Sequence, residues 1–366
     1  MSEIICYLIF AFRDPRKTNK KVALHTLGCR LNFSETGMLA QGFVDRGYQV
    51  VPFGEHADVV FLNTCTVTDQ ADSTCRNLIN KAHRSSPGAQ VVVAGCYAQM
   101  EPEAVSRMQG VDLVLGNSEK YNIFNYLDDS AADLVKVDKS YEFHSAHTTP
   151  ADKHTRAFLK IQDGCNYICS FCIIPSMRGD LVTRSIGEVM QEAENLAKSG
   201  VKELLVVSQD TSAYGVDIKY QTGFWNGRPI KSHIQQLAEA LGELGIWVRL
   251  HYVYPYPHVD KLIPLMAEGK ILPYLDIPFQ HASPRILKDM RRPAHAEKVL
   301  DRLRVWREIC PDITVRSTFI TGFPGETEED FQMLLDFIQE AKLSRVGCFT
   351  YSPVDGATAN DLPNHV

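Results

Sequence analysis

The chain has 366 residues, of which 45% are hydrophobic and 22% are charged, and its formal net charge is −6. This composition is ordinary for a soluble globular protein, and the length favours two domains over one. The acidic balance argues against a broadly basic nucleic-acid-binding protein, although a local basic patch would still permit RNA binding. Ten cysteines in such a chain indicate metal ligation more than disulfides.

The first 20 residues contain an apolar run, from Ile4 to Phe12, that is shorter than a membrane span requires. Acidic Glu3 precedes it and no small-residue cleavage site follows, so it lacks the features of a signal peptide. We predict that residues 1–20 are a disordered extension or a miscalled start. No other segment is apolar and long enough for a membrane span, and we expect a cytoplasmic protein, in which thiols stay reduced.

Short apolar runs alternate with helical stretches between residues 21 and 130. Strands are predicted in KVALHTLGC, ADVVFLNTC, AQVVVAGC and VDLVLG, which begin at residues 21, 57, 89 and 111. Helices are predicted at 34–46, at 71–83 and near 102–108. Nearly continuous Val, Leu and Ile strands separated by helices are typical of a parallel sheet covered on both faces. The prediction for residues 21–130 is a small doubly wound domain of the α/β class.

A second series of strands and helices follows a polar stretch, residues 131–155, that we interpret as a linker. Its strands are predicted in AFLKIQDG, ELLVVSQD, VRLHYVY, YLDIPFQ, TVRSTFITGF and RVGCFTYSP. Its helices are predicted at 186–198, 234–244, 296–309 and 328–341. Six such units predict that residues 156–366 form an incomplete (β/α)6 barrel, with functional groups at the carboxyl ends of the strands.

Three cysteines, Cys29, Cys65 and Cys96, each follow one of the first three predicted strands. The ends of those strands share one edge of an open parallel sheet, where ligands bind. We therefore expect the three thiolates to converge on one metal cluster. The alternative is a scattered set of reduced thiols, because single cysteines often serve as small hydrophobic residues.

Three more cysteines, Cys165, Cys169 and Cys172, follow the first predicted barrel strand with the spacing C-x3-C-x2-C. Three thiolates on a cube of four irons leave one iron without a protein ligand, so a small molecule can bind it. A zinc knuckle with a remote fourth ligand is the alternative. The other four cysteines are predicted to be structural: Cys6, Cys75, Cys310 and Cys348.

This cysteine spacing at the start of a barrel resembles the radical S-adenosylmethionine (SAM) superfamily. In that superfamily the open iron binds SAM, and electron transfer cleaves the sulfonium to give a 5′-deoxyadenosyl radical. The resemblance implies a backbone contact with adenine at Ile174, and a nucleoside contact in FITGFPGETEED near Gly322. The same stretch also fits a plain strand-to-helix turn in which Thr327 caps the helix.

Polar residues near the predicted cluster are further candidates for cofactor binding. Arg178 and Arg184 follow the cluster loop, and an arginine at this place can pair with the SAM carboxylate. Four residues end predicted barrel strands and should face the pocket, although their individual roles are not evident: Gln209, Asp210, Gln280 and His281.

A three-cysteine α/β domain followed by a three-cysteine radical SAM barrel resembles the methylthiotransferases over about residues 21–366. The resemblance implies two [4Fe–4S] clusters. One, on Cys165, Cys169 and Cys172, makes the radical that attacks an unactivated C–H bond. The other, on the first cysteine triad, carries the sulfur, which a second SAM methylates. It further implies an external electron donor such as a flavodoxin, a sulfur source and a monomeric enzyme.

The two halves of the chain resemble different branches of that family. To about residue 170, stretches such as HTLGCRLNFSET look like the branch that modifies threonylcarbamoyladenosine at position 37 of tRNA. From residue 172, stretches such as VVSQDTSAYGVD and RLHYVYPYPHVD look like the branch that modifies an aspartate of ribosomal protein S12. We expect the S12 aspartate as substrate, with the tRNA adenosine as the alternative. A non-catalytic metal-binding chimera or a truncated protein is the alternative from another class.

The change of resemblance falls near residues 163–178, where the branches are most alike. A chimera, natural or artefactual, and an intermediate subfamily are the two explanations. Family members usually continue into a small β-barrel (TRAM) domain that helps to bind the substrate. We expect this domain to be absent after DGATANDLPNHV.

Overall fold

The computed structural model describes residues 19–65, 71–127, 134–138, 155–292 and 296–366. Nearly all of the predicted N-terminal extension lies outside these ranges, as does most of the predicted linker. Within these ranges, no helix combines the length and the apolar character needed to cross a membrane.

Six parallel strands form the first sheet, in the order β2-β1-β3-β4-β5-β6. The strands are β1 (Lys21–Thr26), β2 (Gln49–Val51), β3 (Val59–Thr64), β4 (Gln90–Gly95), β5 (Leu113–Leu115) and β6 (Val135–Lys136). The helices are α1 (Arg30–Asp45), α2 (Ala71–Ser85), α3 (Cys96–Met100) and α4 (Pro102–Ser106), followed by a 3-10 helix (Glu119–Asn125). The sequence did not predict β2 and β6, which are only three and two residues long.

Apolar side chains pack on both faces of this sheet. Phe61 of β3 packs in a core with Phe43 of α1. The next residue, Leu62, lies in a second core with Ile79 of α2. Because successive side chains of a strand point to opposite faces, the helices cover both sides. The doubly wound α/β arrangement is confirmed.

A second parallel sheet of six strands begins at residue 156 and has the order β16-β15-β14-β13-β10-β7. The strands of this part are β7 (Arg156–Lys160), β8 (Gln162–Asp163), β9 (Val182–Thr183), β10 (Glu203–Val207), β11 (Thr222–Trp225), β12 (Arg228–Lys231), β13 (Trp247–Leu250), β14 (Tyr274–Asp276), β15 (Thr314–Thr321) and β16 (Arg345–Thr350). The helices are α5 (Ile174–Arg178), α6 (Ile186–Lys198), α7 (Ile234–Gly242), α8 (Ile263–Ala267), α9 (Pro284–Asp289), α10 (Ala296–Ile309) and α11 (Glu328–Ala341). The strand order confirms the incomplete six-stranded barrel.

Several elements differ from the predicted ones. Helix α1 begins at Arg30, four residues earlier than predicted, because Cys29, whose backbone is extended, is its N-cap. The helix predicted near residues 102–108 is shorter, and Pro102 occupies its first turn, where a missing N–H costs nothing. Strands β13 and β14 stop earlier than predicted, and Tyr252 and Gln280, which were predicted to lie in them, have positive φ of 56° and 73°. The antiparallel hairpin β11–β12 was not predicted.

Candidate functional site

Cys29, Cys65 and Cys96 lie at one edge of the first sheet. They follow β1, β3 and β4, which are direct neighbours. Gly28, with φ of 93°, brings two of them together, because a Cβ at this position would lie 2.6 Å from the Cβ and 2.7 Å from the Sγ of Cys65. Glycine alone fits such a close approach without strain. The predicted shared edge is therefore observed, and the role of the three thiols as ligands stays a prediction.

The environment of this triad suits negatively charged sulfur. Cys96 Sγ lies 3.9 Å from Arg178 Nη2 and 3.9 Å from Asn117 Nδ2. Burial raises the pKa of Cys29, the positive charge of Arg178 acts against that rise, and the Cys96 thiol adds to it. A thiolate cluster at this place would be stabilised by the two donors.

A buried charge network lies behind the triad and joins the two sheets. Glu35 of α1 is fully buried and contacts Lys120 Nζ at 2.6 Å, Lys160 Nζ at 2.9 Å and Arg178 Nη1 at 2.5 Å. Asp163 contacts Lys160 Nζ at 2.5 Å and Arg178 Nη1 at 3.2 Å. Burial alone would raise the pKa of Glu35, but the charges of Arg178, Lys120 and Lys160 hold it well below its usual range. Three cations face two carboxylates, so the network carries excess positive charge beside the cysteines.

The second triad occupies the loop between β8 and α5. The Cys172 N–H donates to the Cys169 carbonyl at 3.1 Å, and the Ile174 N–H lies 3.5 Å from Cys172 Sγ. Burial raises the pKa of Cys165 to about 12, helped by the charges of Asp210 and the other two cysteines. Burial likewise raises the pKa of Cys172 to about 11. These thiols would release their protons on binding iron, as metal-ligating cysteines do.

Arg292, which the sequence did not single out, lies against this triad. Its Nη1 is 3.9 Å from Cys169 Sγ, and its guanidinium lies 3.9 Å from the centroid of the Tyr254 ring. Its Nη2 donates to the Pro278 carbonyl at 2.7 Å, which fixes the side chain. Each triad therefore has one arginine directed at one of its sulfurs. The sequence singled out Arg178 only as a possible partner of SAM, and no sequence pattern marks Arg292.

The candidate SAM-binding residues lie around the same rim. Gln209 follows β10 and donates from Nε2 to Asp163 Oδ1 at 2.6 Å. Gln280 follows β14, where its N–H donates to the Thr318 carbonyl at 3.0 Å. Gly322 follows β15 with φ of 69°, and Ile174 begins α5 beside the second triad. The carboxyl ends of parallel strands share one side of a barrel, so Gln209, Gln280 and Gly322 lie on that side. Their contact with SAM stays a prediction.

Arg184 lies elsewhere, which corrects the expectation that it pairs with the SAM carboxylate. Its side chain is fully buried, with Nη1 at 2.9 Å from the Lys160 carbonyl and 2.5 Å from Glu192 Oε2. This ion pair connects α6 to the barrel sheet. It holds the guanidinium group in the protein interior. The position of Arg184 in the sequence, close after the cluster loop, does not reveal that its side chain turns towards α6.

The stretch after Gly322 forms the predicted helix cap. Thr327 Oγ1 accepts from the Asp330 N–H at 3.3 Å, and Asp330 Oδ2 accepts from the Thr327 N–H at 3.0 Å. This reciprocal pair is a capping box at the start of α11. The cap is confirmed, and a nucleoside contact at Gly322 stays a prediction.

The other cysteines differ in their exposure. Cys75 and Cys310 are buried in the cores of the two sheets, as expected for structural residues. Cys348 is exposed on β16, with Sγ at 3.7 Å from Thr321 Oγ1. Cys6 lies outside the described residues. Across those residues, no three His, Cys, Asp or Glu side chains are placed to hold one metal ion. The thiolates of an iron–sulfur cluster bind different irons, so they need not meet at one point.

Both halves of the chain match known protein families. Residues 21–116 match the family described as Uncharacterized protein family UPF0004, and residues 159–338 match the Radical SAM superfamily. Ribosomal protein uS12 methylthiotransferase RimO of Hahella chejuensis is 53% identical over 362 residues, which cover 94% of this chain and 78% of the relative. The protein of the same name from Marinobacter nauticus is 54% identical over 355 residues, which cover 94% and 76%. This chain belongs to the radical SAM methylthiotransferases.

As a radical SAM enzyme, this methylthiotransferase uses SAM and a [4Fe–4S] cluster. The radical SAM methyltransferase TsrM from Kitasatospora setae, with tryptophan and a SAM analogue bound, has a similar fold. The TM-score is 0.63 at 15% identity, over 92% of this chain and 75% of that one. The cobalamin-dependent enzyme OxsB matches with a TM-score of 0.56 at 13% identity, over 94% and 54%. The RimO matches include both sides of residues 163–178, and the junction predicted there stays a hypothesis.

Proposed function

We propose that this methylthiotransferase modifies an aspartate side chain of ribosomal protein S12. The observation that supports it best is the identity of 53% over 94% of the chain to a protein named for modification of uS12. The alternative substrate, a tRNA adenosine, is supported by the resemblance of the stretches around Cys29 and Cys65 to the tRNA-modifying branch.

We also propose that each cysteine triad holds one [4Fe–4S] cluster. Cys165, Cys169 and Cys172 would hold the SAM-binding cluster, and the triad Cys29, Cys65 and Cys96 would hold the second. The fit rests on three features: three thiols in each group, one arginine directed at a sulfur of each, and excess buried positive charge behind the first triad. An anionic cluster would be stabilised by that charge. When bound, SAM and its cluster supply the one-electron chemistry that breaks an unactivated C–H bond.

The residues of the chain position these groups. Arg178 and Asn117 would orient the sulfur of Cys96, and Arg292 that of Cys169. Asp163 lies two residues before Cys165. It accepts a hydrogen bond from Gln209 Nε2, which connects the start of the cluster loop to the end of β10. The barrel rim would thereby hold the second triad in a fixed orientation towards the substrate.

Further parts of the proposal follow from the family resemblance alone. An external electron donor such as a flavodoxin and a separate sulfur source would complete the reaction. The enzyme would act as a cytoplasmic monomer, with one domain at residues 21–130 and a radical SAM domain at 156–366.

The test is to offer S12 and unmodified tRNA to the anaerobically reconstituted protein and to seek an added methylthio group by mass spectrometry. We expect the product on an aspartate of S12, and none when Cys165 is replaced by alanine. Cys75→Ala is the matched control, because this buried cysteine lies in α2, outside both triads. Product on tRNA alone would assign the chain to the other branch. Tightly held zinc without SAM cleavage would instead indicate a non-catalytic metal-binding protein.

A further inference from the structure

The face of the barrel sheet that points away from the helices carries a group of charged side chains. In β13 and β14, Leu250 and Leu275 belong to the core that the helices cover. Because side chains alternate along a strand, Arg249 and Asp276 lie on the opposite face. Arg316 of β15 is in register with Asp276 and joins them there.

Arg30, at the start of α1, reaches this face from the first sheet. Its Nη1 lies 3.1 Å from Tyr252 Oη and 3.8 Å from Asp276 Oδ2. Tyr252 has φ of 56°, a conformation that is costly for a bulky residue and that concentrates at functional sites. The backbone thus places the tyrosine hydroxyl where it holds the arginine.

The position of Tyr252 relates this group to both cysteine triads. Arg30 directly follows Cys29, and Tyr252 is within electrostatic range of the Cys29 thiol. The Tyr252 carbonyl accepts from the N–H of Thr211, which follows Asp210. Asp210 in turn acts electrostatically on Cys165. A ligand held by Arg30 would therefore lie close to the first triad, next to Cys29.

The charges on this face do not balance. Asp276 Oδ1 lies 2.5 Å from Arg316 Nη1, and Glu203 Oε1 lies 2.6 Å from Arg249 Nε. Arg30 is one-third exposed, and no carboxylate of the described residues comes nearer to it than the 3.8 Å of Asp276. Within the group formed by Arg30, Arg249, Arg316, Asp276 and Glu203, three guanidinium groups face two carboxylates, so one positive charge of this group is unmatched. An incoming anion would meet that charge at Arg30.

We propose that Arg30 binds the side-chain carboxylate of the target aspartate, with Arg316 beside it. The inference rests on the proposed function, since it requires an aspartyl substrate. A guanidinium has five N–H donors in a planar fork, which suits paired hydrogen bonds to a carboxylate. Arg30 has donors to spare for such a pair, whereas the partly exposed Arg316 already donates to Asp276. Asp276 holds Arg316 in place and, being already paired, adds little repulsion.

The experiment compares binding and modification of two forms of S12 by the reconstituted enzyme. The first is native S12, and the second has asparagine in place of the aspartate that mass spectrometry identifies as modified. Each is given to the unaltered enzyme, Arg30→Gln, Arg30→Lys and Arg304→Gln. Arg304 is the control, because it is an exposed arginine of α10 that pairs only with Asp301 and Glu340 in the described structure. Iron content and SAM cleavage without substrate are measured for every variant.

We expect Arg30→Gln to weaken binding of native S12 about tenfold or more, the value of a charge-assisted hydrogen bond. Binding of the asparagine form should be weak already and should not weaken further. Arg30→Lys should restore part of the affinity, and the affinities are compared per loaded enzyme, using the iron content and substrate-free SAM cleavage measured for each variant. Arg304→Gln should match the unaltered enzyme in every measurement.

Two results would overturn the inference and leave the proposed function intact. Arg30→Gln could modify native S12 as well as the unaltered enzyme does, or it could weaken binding of both S12 forms equally, which would indicate a structural role. A different result would reject the proposed function together with the inference: an unaltered enzyme that modifies tRNA and leaves S12 unchanged.

Discussion

Arg178 of the barrel donates from Nη1 to Oε1 of Glu35, in helix α1 beside the first sheet, at 2.5 Å. The same guanidinium reaches Asp163, at the start of the cluster loop, and Cys96 Sγ at 3.9 Å. Side-chain exposure is 4% for Arg178 and none for Glu35, so both charges are stabilised by protein partners, this contact among them. One buried ion pair therefore joins the two sheets and contacts residues of both cysteine-containing regions.

Replacing Arg178 by methionine should destabilise the protein strongly. The variant loses the buried charge-assisted hydrogen bonds from Arg178 to Glu35, each worth about 1.5–3 kcal/mol, although Lys120 and Lys160 still pair with that carboxylate. We expect a correspondingly lower urea midpoint for the cluster-free chain. Replacing both partners, by Arg178→Met and Glu35→Gln together, should not recover the loss, because the buried Lys120 and Lys160 then lose the carboxylate of Glu35.

The matched control is Arg228→Met. Arg228 pairs with Glu243 at the same 2.5 Å, but both side chains are about half exposed. Surface pairs of this kind contribute little, so the urea midpoint should not change measurably. Equal losses in Arg178→Met and Arg228→Met would show that the buried pair has no special role between the sheets.

The two triads should load iron independently. Replacing Cys29, Cys65 and Cys96 by alanine should leave about four of the eight irons expected for two clusters, and the same change in the second triad should remove the other four. Only the variant that keeps Cys165, Cys169 and Cys172 should cleave SAM. Iron analysis and electron paramagnetic resonance of the reduced proteins measure both outcomes. A full iron load in either variant would reject the assignment of a cluster to the missing triad.

Two glycines offer a gentler test of the same assignment. Gly28 has φ of 93° and closely faces Cys65, while Gly164 has φ of 75° and closely faces the Asp180 carbonyl. Alanine at a positive φ is strained by about 1 kcal/mol, and here the added methyl group also overlaps a neighbour. Gly28→Ala should lower iron in the first triad, and Gly164→Ala should lower iron in the second.

Gly200→Ala is the control for these two variants. Gly200 has φ of 98°, yet nothing lies within 4 Å of an added Cβ. Gly200→Ala should therefore have the backbone strain of a positive φ but no steric overlap, and we expect it to keep its iron. If Gly200→Ala lost as much iron as the other two, backbone strain and not the geometry of the triads would explain the effect.

The sequence predicted the parts of the site that depend on strand ends and cysteine spacing. Cys29, Cys65 and Cys96 could be placed at one edge because parallel strands end together, and the spacing of the second triad is specific. The buried network around Glu35 could not be predicted. Its members come from five separate elements, and no local pattern shows that Lys120 or Lys160 is buried. Arg184 was misassigned for the same reason, since its partner Glu192 becomes a neighbour only when α6 packs on the sheet.

Asp330 should make the stability of the barrel depend on acid pH. Its carboxylate accepts from Ser283 Oγ at 2.5 Å and from Thr327 Oγ1 at 2.8 Å, and it pairs with Arg285. Burial would raise its pKa, but the hydrogen bonds from Ser283, Thr327 and Arg285 outweigh burial and lower it from 3.8 to about 2. The folded state therefore binds this proton less readily than the unfolded state.

The sign of the pH effect follows from this lowered pKa. The carboxylate contributes its stabilisation above pH 4, the usual range of the unfolded group, and loses it as the pH falls to 2. A shift of this size corresponds to about 2 kcal/mol at neutral pH. Urea unfolding of the cluster-free chain should show a loss of that order between pH 4 and 2, and Asp330→Asn should lack it. Asp336→Asn, an exposed position in the same helix, should keep the pH profile of the unaltered chain. Identical profiles for the unaltered chain and Asp330→Asn would mean that the capping carboxylate does not carry the acid dependence.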